Sequence, residues 1–135
     1  MEFNISTKGF NDIINLTDQV EVIVAKSKIK NGLVLVFVPH QTCAVSVLEY
    51  ESGLIKDLKE ALEKIAPQQA DYQHNQKWGD GNGYAHIRAS FLKPDLTVPL
   101  ENGKLVLGTW QQIILIDFDN QPRQRRIVIK ITEGQ

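Results

Sequence analysis

Phe3, Ile5 and Thr7 alternate with Glu2, Asn4 and Ser6, a period of two that predicts a strand with one buried face. From Leu16 to Lys28 the period changes. Leu16, Val20, Ile23 and Val24 fall on one helical face, with Asp18 as the expected N-cap and Glu21 three residues on. Asn31-Gly32 marks a stop, and Leu33 to Val38 is apolar enough to be covered on both faces, as a central strand is. Cys43 to Glu49 reads as its hairpin partner, with Cys43, Val45 and Val47 on one face, Ala44, Ser46 and Leu48 on the other, and His40-Gln41-Thr42 at the turn. The clearest helix spans Ser52 to Ile65. Leu54, Leu58, Ala61, Leu62 and Ile65 share a face, charged residues fill the rest, and Pro67 ends it.

A long polar stretch, Gln68 to Gly83, follows and contains Trp78 and the run Gly79-Asp80-Gly81-Asn82-Gly83. Loops of that length in a compact domain are usually functional or disordered. Tyr84 to Leu92, Leu96 to Leu100, Leu105 to Leu107, Gln112 to Phe118 and Arg126 to Ile131 read as successive strands, separated by turn signals at Lys93-Pro94-Asp95, Asn102-Gly103 and Asp119-Asn120. The expected fold is a single α+β domain over residues 1–135, a mainly antiparallel β-sandwich with two flanking helices.

Composition adds mostly exclusions. The 135 residues carry a net charge of −1, so no global attraction to nucleic acid is expected. The longest apolar run, Leu33 to Pro39, is far too short to span a membrane, and Met1-Glu2-Phe3-Asn4 does not open a secretory signal, so a cytoplasmic location is expected. Cys43 is the only cysteine, set among Ala44, Val45 and Val47, which favours a buried, unreactive thiol.

The candidate chemistry lies in three histidines and a basic cluster. His40, His74 and His86 come from separate segments, which is how a protein supplies three neutral imidazoles to an open zinc-type site; hydrogen-bonded or surface histidines give the same spacing. Arg123 and Arg125 should share one strand face and Arg126 the other. The first two would hold a phosphate or carboxylate, or else protect an edge strand with charge. Asn82 would add donors in the glycine-rich loop, Gln111 is the polar candidate beside Trp110, and Trp110 itself is expected in packing. Asp57 falls on the charged side of its helix.

These motifs occur in a specific order: Pro39-His40-Gln41-Thr42 with Glu49, Tyr72-Gln73-His74, Gly81-Asn82-Gly83-Tyr84-Ala85-His86-Ile87-Arg88-Ala89-Ser90, Leu107-Gly108-Thr109-Trp110-Gln111 and Pro122-Arg123-Gln124-Arg125-Arg126. That order resembles the YjbQ family, also called UPF0047, from about Val34 to Ile131. The resemblance implies a compact α+β domain on a β-sandwich, a homotrimer, and a labelled activity of thiamine-phosphate synthesis from pyrimidine and thiazole precursors. Departures stand at Leu48 to Gly53, at Lys93 in place of a usual glycine, and in Asp119-Asn120-Gln121-Pro122-Arg123, one residue longer than usual. Glu49, Asp57, the histidines and the arginine pair match.

With the resemblance added, the expected site joins His40, His74 and His86, holding zinc or another divalent metal such as nickel or cobalt, to an anion-binding Arg123 and Arg125. Glu49 would be a fourth ligand or would orient an imidazole, and Asp57 and Gln111 would complete the site. The leading expectation is an enzyme acting on a small phosphorylated substrate in the thiamine-phosphate manner, although an aspartate-rich magnesium motif is lacking. The alternatives are a metal-dependent hydrolase with Glu49 as base and a non-catalytic trimeric binder of a small anionic metabolite. Nucleic acid and membrane partners are not expected.

Overall fold

The computed structural model describes residues 1–134. Eight strands and four helices follow in the order β1 (Glu2–Thr7), β2 (Asp12–Asn15), α1 (Thr17–Ser27), β3 (Gly32–Phe37), β4 (Cys43–Leu48), α2 (Ser52–Ile65), α3 (Gln73–Trp78), α4 (Gly83–Leu92), β5 (Asp95–Glu101), β6 (Lys104–Leu105), β7 (Gln112–Asp117) and β8 (Arg123–Glu133). The strands form a five-stranded sheet, β1-β8-β3-β5-β6, and a three-stranded sheet, β2-β7-β4. Every pairing is antiparallel.

Two apolar clusters make three layers. Val34, Val36 and Ile129 of the large sheet meet Cys43, Val45, Ile113 and Leu115 of the small one, with Leu16, Val20 and Val24 closing one end. The opposite face of the small sheet, Ala44, Ile114 and Ile116, packs on Leu62 of α2 and on Tyr84, Ala85 and Ala89 of α4. β7 is therefore covered on both sides, which is why Ile113 to Ile116 is apolar without alternation. Among the described residues no helix is long and apolar enough to cross a membrane.

Four expectations need correction. Leu33 to Val38 and Cys43 to Glu49 do not form a hairpin: β3 pairs with β5 and β8, β4 pairs with β7, and 38–42 crosses between sheets. Tyr84 to Leu92 is a helix, because Tyr84, Ala85, Arg88 and Ala89 are the buried positions, a spacing that only a helix brings to one face. A short helix, α3, occupies part of the stretch read as a loop, so the helices number four rather than two. Asp18 lies in the first turn of α1 and is not its N-cap; the Asn15 side chain accepts the Thr17 N–H at 3.0 Å instead. A fourth strand in the first third, β2, had no signal in the alternation.

Arg88 hides the helical period of α4, because a fully buried arginine reads as a solvent position. Its guanidinium donates twice to the Ala66 carbonyl at the end of α2 (3.0 and 2.8 Å), once to Asn11 Oδ1 (2.9 Å) and once to Glu63 (2.6 Å). Arg88→Leu would leave these acceptors without donors, a loss of about 2–4 kcal/mol. The urea midpoint should fall accordingly; a loss below about 1 kcal/mol would show that water replaces the guanidinium.

Candidate functional site

The β7–β8 corner gathers most of the candidate residues around two buried carboxylates, Asp117 and Asp119. Arg125 grips Asp117 with two parallel bonds, Nε to Oδ2 at 2.7 Å and an outer nitrogen to Oδ1 at 2.8 Å, the strong bidentate geometry of a guanidinium on a carboxylate. The same outer nitrogen donates to Thr42 (2.7 Å), which in turn donates to Asp119 (3.0 Å). Arg123 Nε completes Asp119 at 2.9 Å. Burial works against ionisation of Asp119, but the Asn120 N–H, the Asn82 amide, the Thr42 hydroxyl and Arg123 outweigh it and hold its carboxyl below the usual range.

This network decides which arginine can meet a ligand. The alternation placed Arg123 and Arg125 on one face correctly, but Arg125 is 5% exposed and its charge is spent on Asp117 and Thr42. It is therefore not half of an open anion clamp. Arg123 is 40% exposed and commits only Nε, its outer nitrogens making no hydrogen bond among the described residues. Arg126 points the other way and pairs with Glu2.

His74 and His86 meet, with ring centroids 4.3 Å apart. Two glycines allow it. Gly79 ends α3 in the left-handed conformation (φ +73°), and at Gly83 a Cβ would stand 2.6 Å from the Tyr72 Cβ, so only glycine lets α3 and α4 approach so closely. His74 Nε2 lies 3.3 Å from Asp80 Oδ1 and 3.1 Å from the Asn82 amide. With its nitrogen toward Asp119 (3.3 Å), that amide accepts from His74; turned over, it donates to Asp80 (3.0 Å) and to His74 (3.1 Å). Its orientation is thus coupled to the proton on His74. Asn82 is buried, so it orients the histidine rather than reaching an anion from an open loop. Burial, then the neighbouring His74, hold the His86 imidazole below the ordinary histidine value, against the opposing pull of Asp80 and Asp119.

His40 stands apart from this pair. Its Nε2 accepts the Arg126 N–H at 2.9 Å, continuing the β3–β8 ladder past the end of β3 with a side chain. Burial and the Arg125 charge lower its pKa, while Asp117 opposes them. The fold thus favours neutral His40, a contribution present above the ordinary value near 6.5 and lost as pH falls through that value toward the lower folded one. NMR should find the ring titrating below 6.5 and the Arg126 amide exchanging faster as it protonates; titration at or above 6.5 would refute the contact.

The expected metal centre does not assemble within the chain. Among the described residues no group of three or more His, Cys, Asp or Glu side chains is arranged to hold an ion. The Nε2 of His40 is taken by the Arg126 backbone N–H, so that nitrogen is not turned toward His74 and His86. Glu49, Asp57 and Gln111 also lie outside the cluster. Glu49 is exposed beyond the far end of β4, about 23 Å along that strand from Thr42. Gln111 Oε1 accepts the Gly108 N–H (2.7 Å) and closes the turn before β7. Asp57 stands on the exposed side of α2 without a hydrogen bond to the network. Trp110 is 72% exposed and does not pack into this chain's core. Cys43 is fully buried, and burial pushes its thiol up to about 12.

Sequence reasoning missed Asp80, Asp117, Asp119 and Thr42. The available signal was the spacing Asp117-x-Asp119 ahead of Arg123-x-Arg125, two same-face acids and two same-face bases across one corner.

The family model described as UPF0047 protein YjbQ-like matches residues 1–134. A UPF0047 protein of Archaeoglobus fulgidus is 43% identical over 130 residues, covering 96% of this chain and 98% of that protein. One from Methanothermobacter thermautotrophicus is 38% identical over 130 residues, covering 96% and 89%. Among solved structures, a YbjQ-like protein of unknown function from Sulfolobus solfataricus P2 superposes with TM-score 0.94 at 37% identity, covering 99% of this chain and 96% of that one. A Clostridium acetobutylicum protein of the yjbq/upf0047 family gives TM-score 0.89 at 34% identity, covering 98% and 99%.

Proposed function

The chain belongs to the YjbQ-like UPF0047 family, and within that family we propose that it is an enzyme in which His74 and His86 act as an acid–base pair on a small anionic substrate held by Arg123. The carrying observation is the contact of two imidazoles, one of them held neutral, beside Asp80 and the Asn82 amide. Two interacting titratable groups in unequal surroundings divide into a proton donor and a proton acceptor, the division that general acid–base catalysis needs near neutral pH. His86 takes the proton and His74, next to Asp80, supplies one. Arg123 presents its outer nitrogens to a phosphate or carboxylate at the edge of the same network. Following the expectation drawn from the resemblance, the working form is a homotrimer.

Thiamine-phosphate formation has no feature of its own here. The buried carboxylates Asp117 and Asp119 are bound to Arg125 and Arg123, and nothing else in the cluster is specific to a pyrophosphate leaving group. The test is a panel of phosphorylated metabolites and simple carboxylic acids, with the two thiamine-phosphate precursors included as a pair, incubated with the purified chain and followed by mass spectrometry. Turnover of at least one member is expected, and His86→Gln should abolish it. If no member is consumed while inorganic phosphate still shifts the His74 and His86 ring resonances, the chain is a binder of anions and the enzymatic reading fails.

A further inference from the structure

The opposite end of the small sheet carries a second concave site, of different chemistry. A cavity of about 480 Å³ opens between the end of β4 and the turn before β7. Trp110, 72% exposed, and Tyr50, 45% exposed, present aromatic surface there, and the Tyr50 ring is anchored because its hydroxyl donates to the Ile13 carbonyl at 3.0 Å. An amide pair at its wall, Asn15 Nδ2 donating to Gln112 Oε1 at 3.0 Å, offers further polar contact. Two carboxylate residues, Glu49 and Glu51, line the same cavity. The carboxylate of Glu51 is committed to the first turn of α2 through the Gly53 and Leu54 N–H groups (2.7 and 2.8 Å). That of Glu49 is exposed and makes no hydrogen bond among the described residues.

No lysine, arginine or histidine lines this cavity among the described residues, so an anion finds no counter-charge in it. A cation finds both kinds of partner that recognise it, a carboxylate for its charge and π-faces for its poorly hydrated surface. Amino or alkylammonium groups also gain from covering indole and phenol surface that otherwise faces water. The volume falls within the range of small-ligand pockets. We propose that Trp110, Tyr50 and Glu49 form a binding site for a small organic cation, an amine or quaternary ammonium compound, separate from the His74–His86 centre. Trp110 supplies the principal aromatic face, Glu49 the charge, and the anchored Tyr50 the fixed wall. Glu51 adds field without leaving its helix.

The test uses the full chain and tetramethylammonium as probe, with saturation-transfer NMR on the methyl signal. Saturable transfer is expected, and Trp110→Leu and Glu49→Gln should each weaken binding about tenfold. Acetate, the anionic control, should not compete. The proposal fails if no transfer is seen, if both variants bind as the parent does, or if acetate binds equally well. A fluorescence measurement on the Trp78→Phe chain, in which Trp110 is the sole tryptophan, removes the remaining ambiguity. Free access of acrylamide to Trp110 supports an open site, while shielding in the ligand-free protein means that a second copy covers it and overturns the proposal.

Discussion

Arg125→Met is expected to cost about 3–5 kcal/mol of folding stability and to lower Tm by about 10–20 °C. Asp117 is fully buried and its carboxylate is balanced by the Arg125 guanidinium, with the Thr7 hydroxyl and the Asp119 N–H as the remaining donors. Removing the guanidinium leaves a charge in a dry site beside a second carboxylate, Asp119. The carboxylate must then take up a proton or draw in water, and either change works against the fold. Methionine fills much of the volume, so the loss reads charge rather than cavity. The double variant Asp117→Leu, Arg125→Met should recover part of the stability, because it removes both charges together. Urea unfolding of the two proteins compares them directly. If the single variant is as stable as the double, the pair is not a compensated buried charge and the network described for the β7–β8 corner is wrong.

For catalysis, His86→Gln should lower kcat by about 10²- to 10⁴-fold on whichever substrate the panel identifies, while binding of inorganic phosphate changes little. The two effects separate because the proposed mechanism gives Arg123 the binding of the anion and His86 the transfer of the proton. Arg123→Gln should do the reverse, raising KM about tenfold with a smaller effect on kcat. The acid limb of the kcat profile should lie below the ordinary histidine value, since burial and His74 favour neutral His86 and a base is lost only when it protonates. Asn82→Leu should shift that limb, because the amide that couples His74 to Asp80 and Asp119 is gone. An acid limb at or above the ordinary value, or a His86→Gln enzyme of normal kcat, would remove His86 from the reaction.

Much of the fold was legible because local periodicity is a direct record of which side of an element is buried. α2 runs over Ser52–Ile65 as its apolar face predicts, and the two faces of β4 carry the residues that alternation assigns to them. The turn at Asn102-Gly103 sits between β5 and β6, with positive φ at both residues. Lys93 holds φ +69°, a backbone conformation that would suit glycine better. α4 was misread for one physical reason: Arg88 is buried by partners from Asn11, Glu63 and Ala66, and nothing within 84–92 announces them.

The site divided along the same line. The sequence by itself determined the periods of β1, α1, β4 and α2, the family, the shared face of Arg123 and Arg125, and the inert setting of Cys43, all of which depend on neighbours a few residues away or on motif order. Tertiary structure alone decided that His74 and His86 touch while His40 closes a strand ladder, that Asp117 consumes Arg125, and that Glu49 and Trp110 stand at the opposite end of the small sheet. These outcomes turn on which distant charges and donors compensate one another once water is excluded. Charge compensation of that kind is set by the packing of whole elements and leaves no period in the chain.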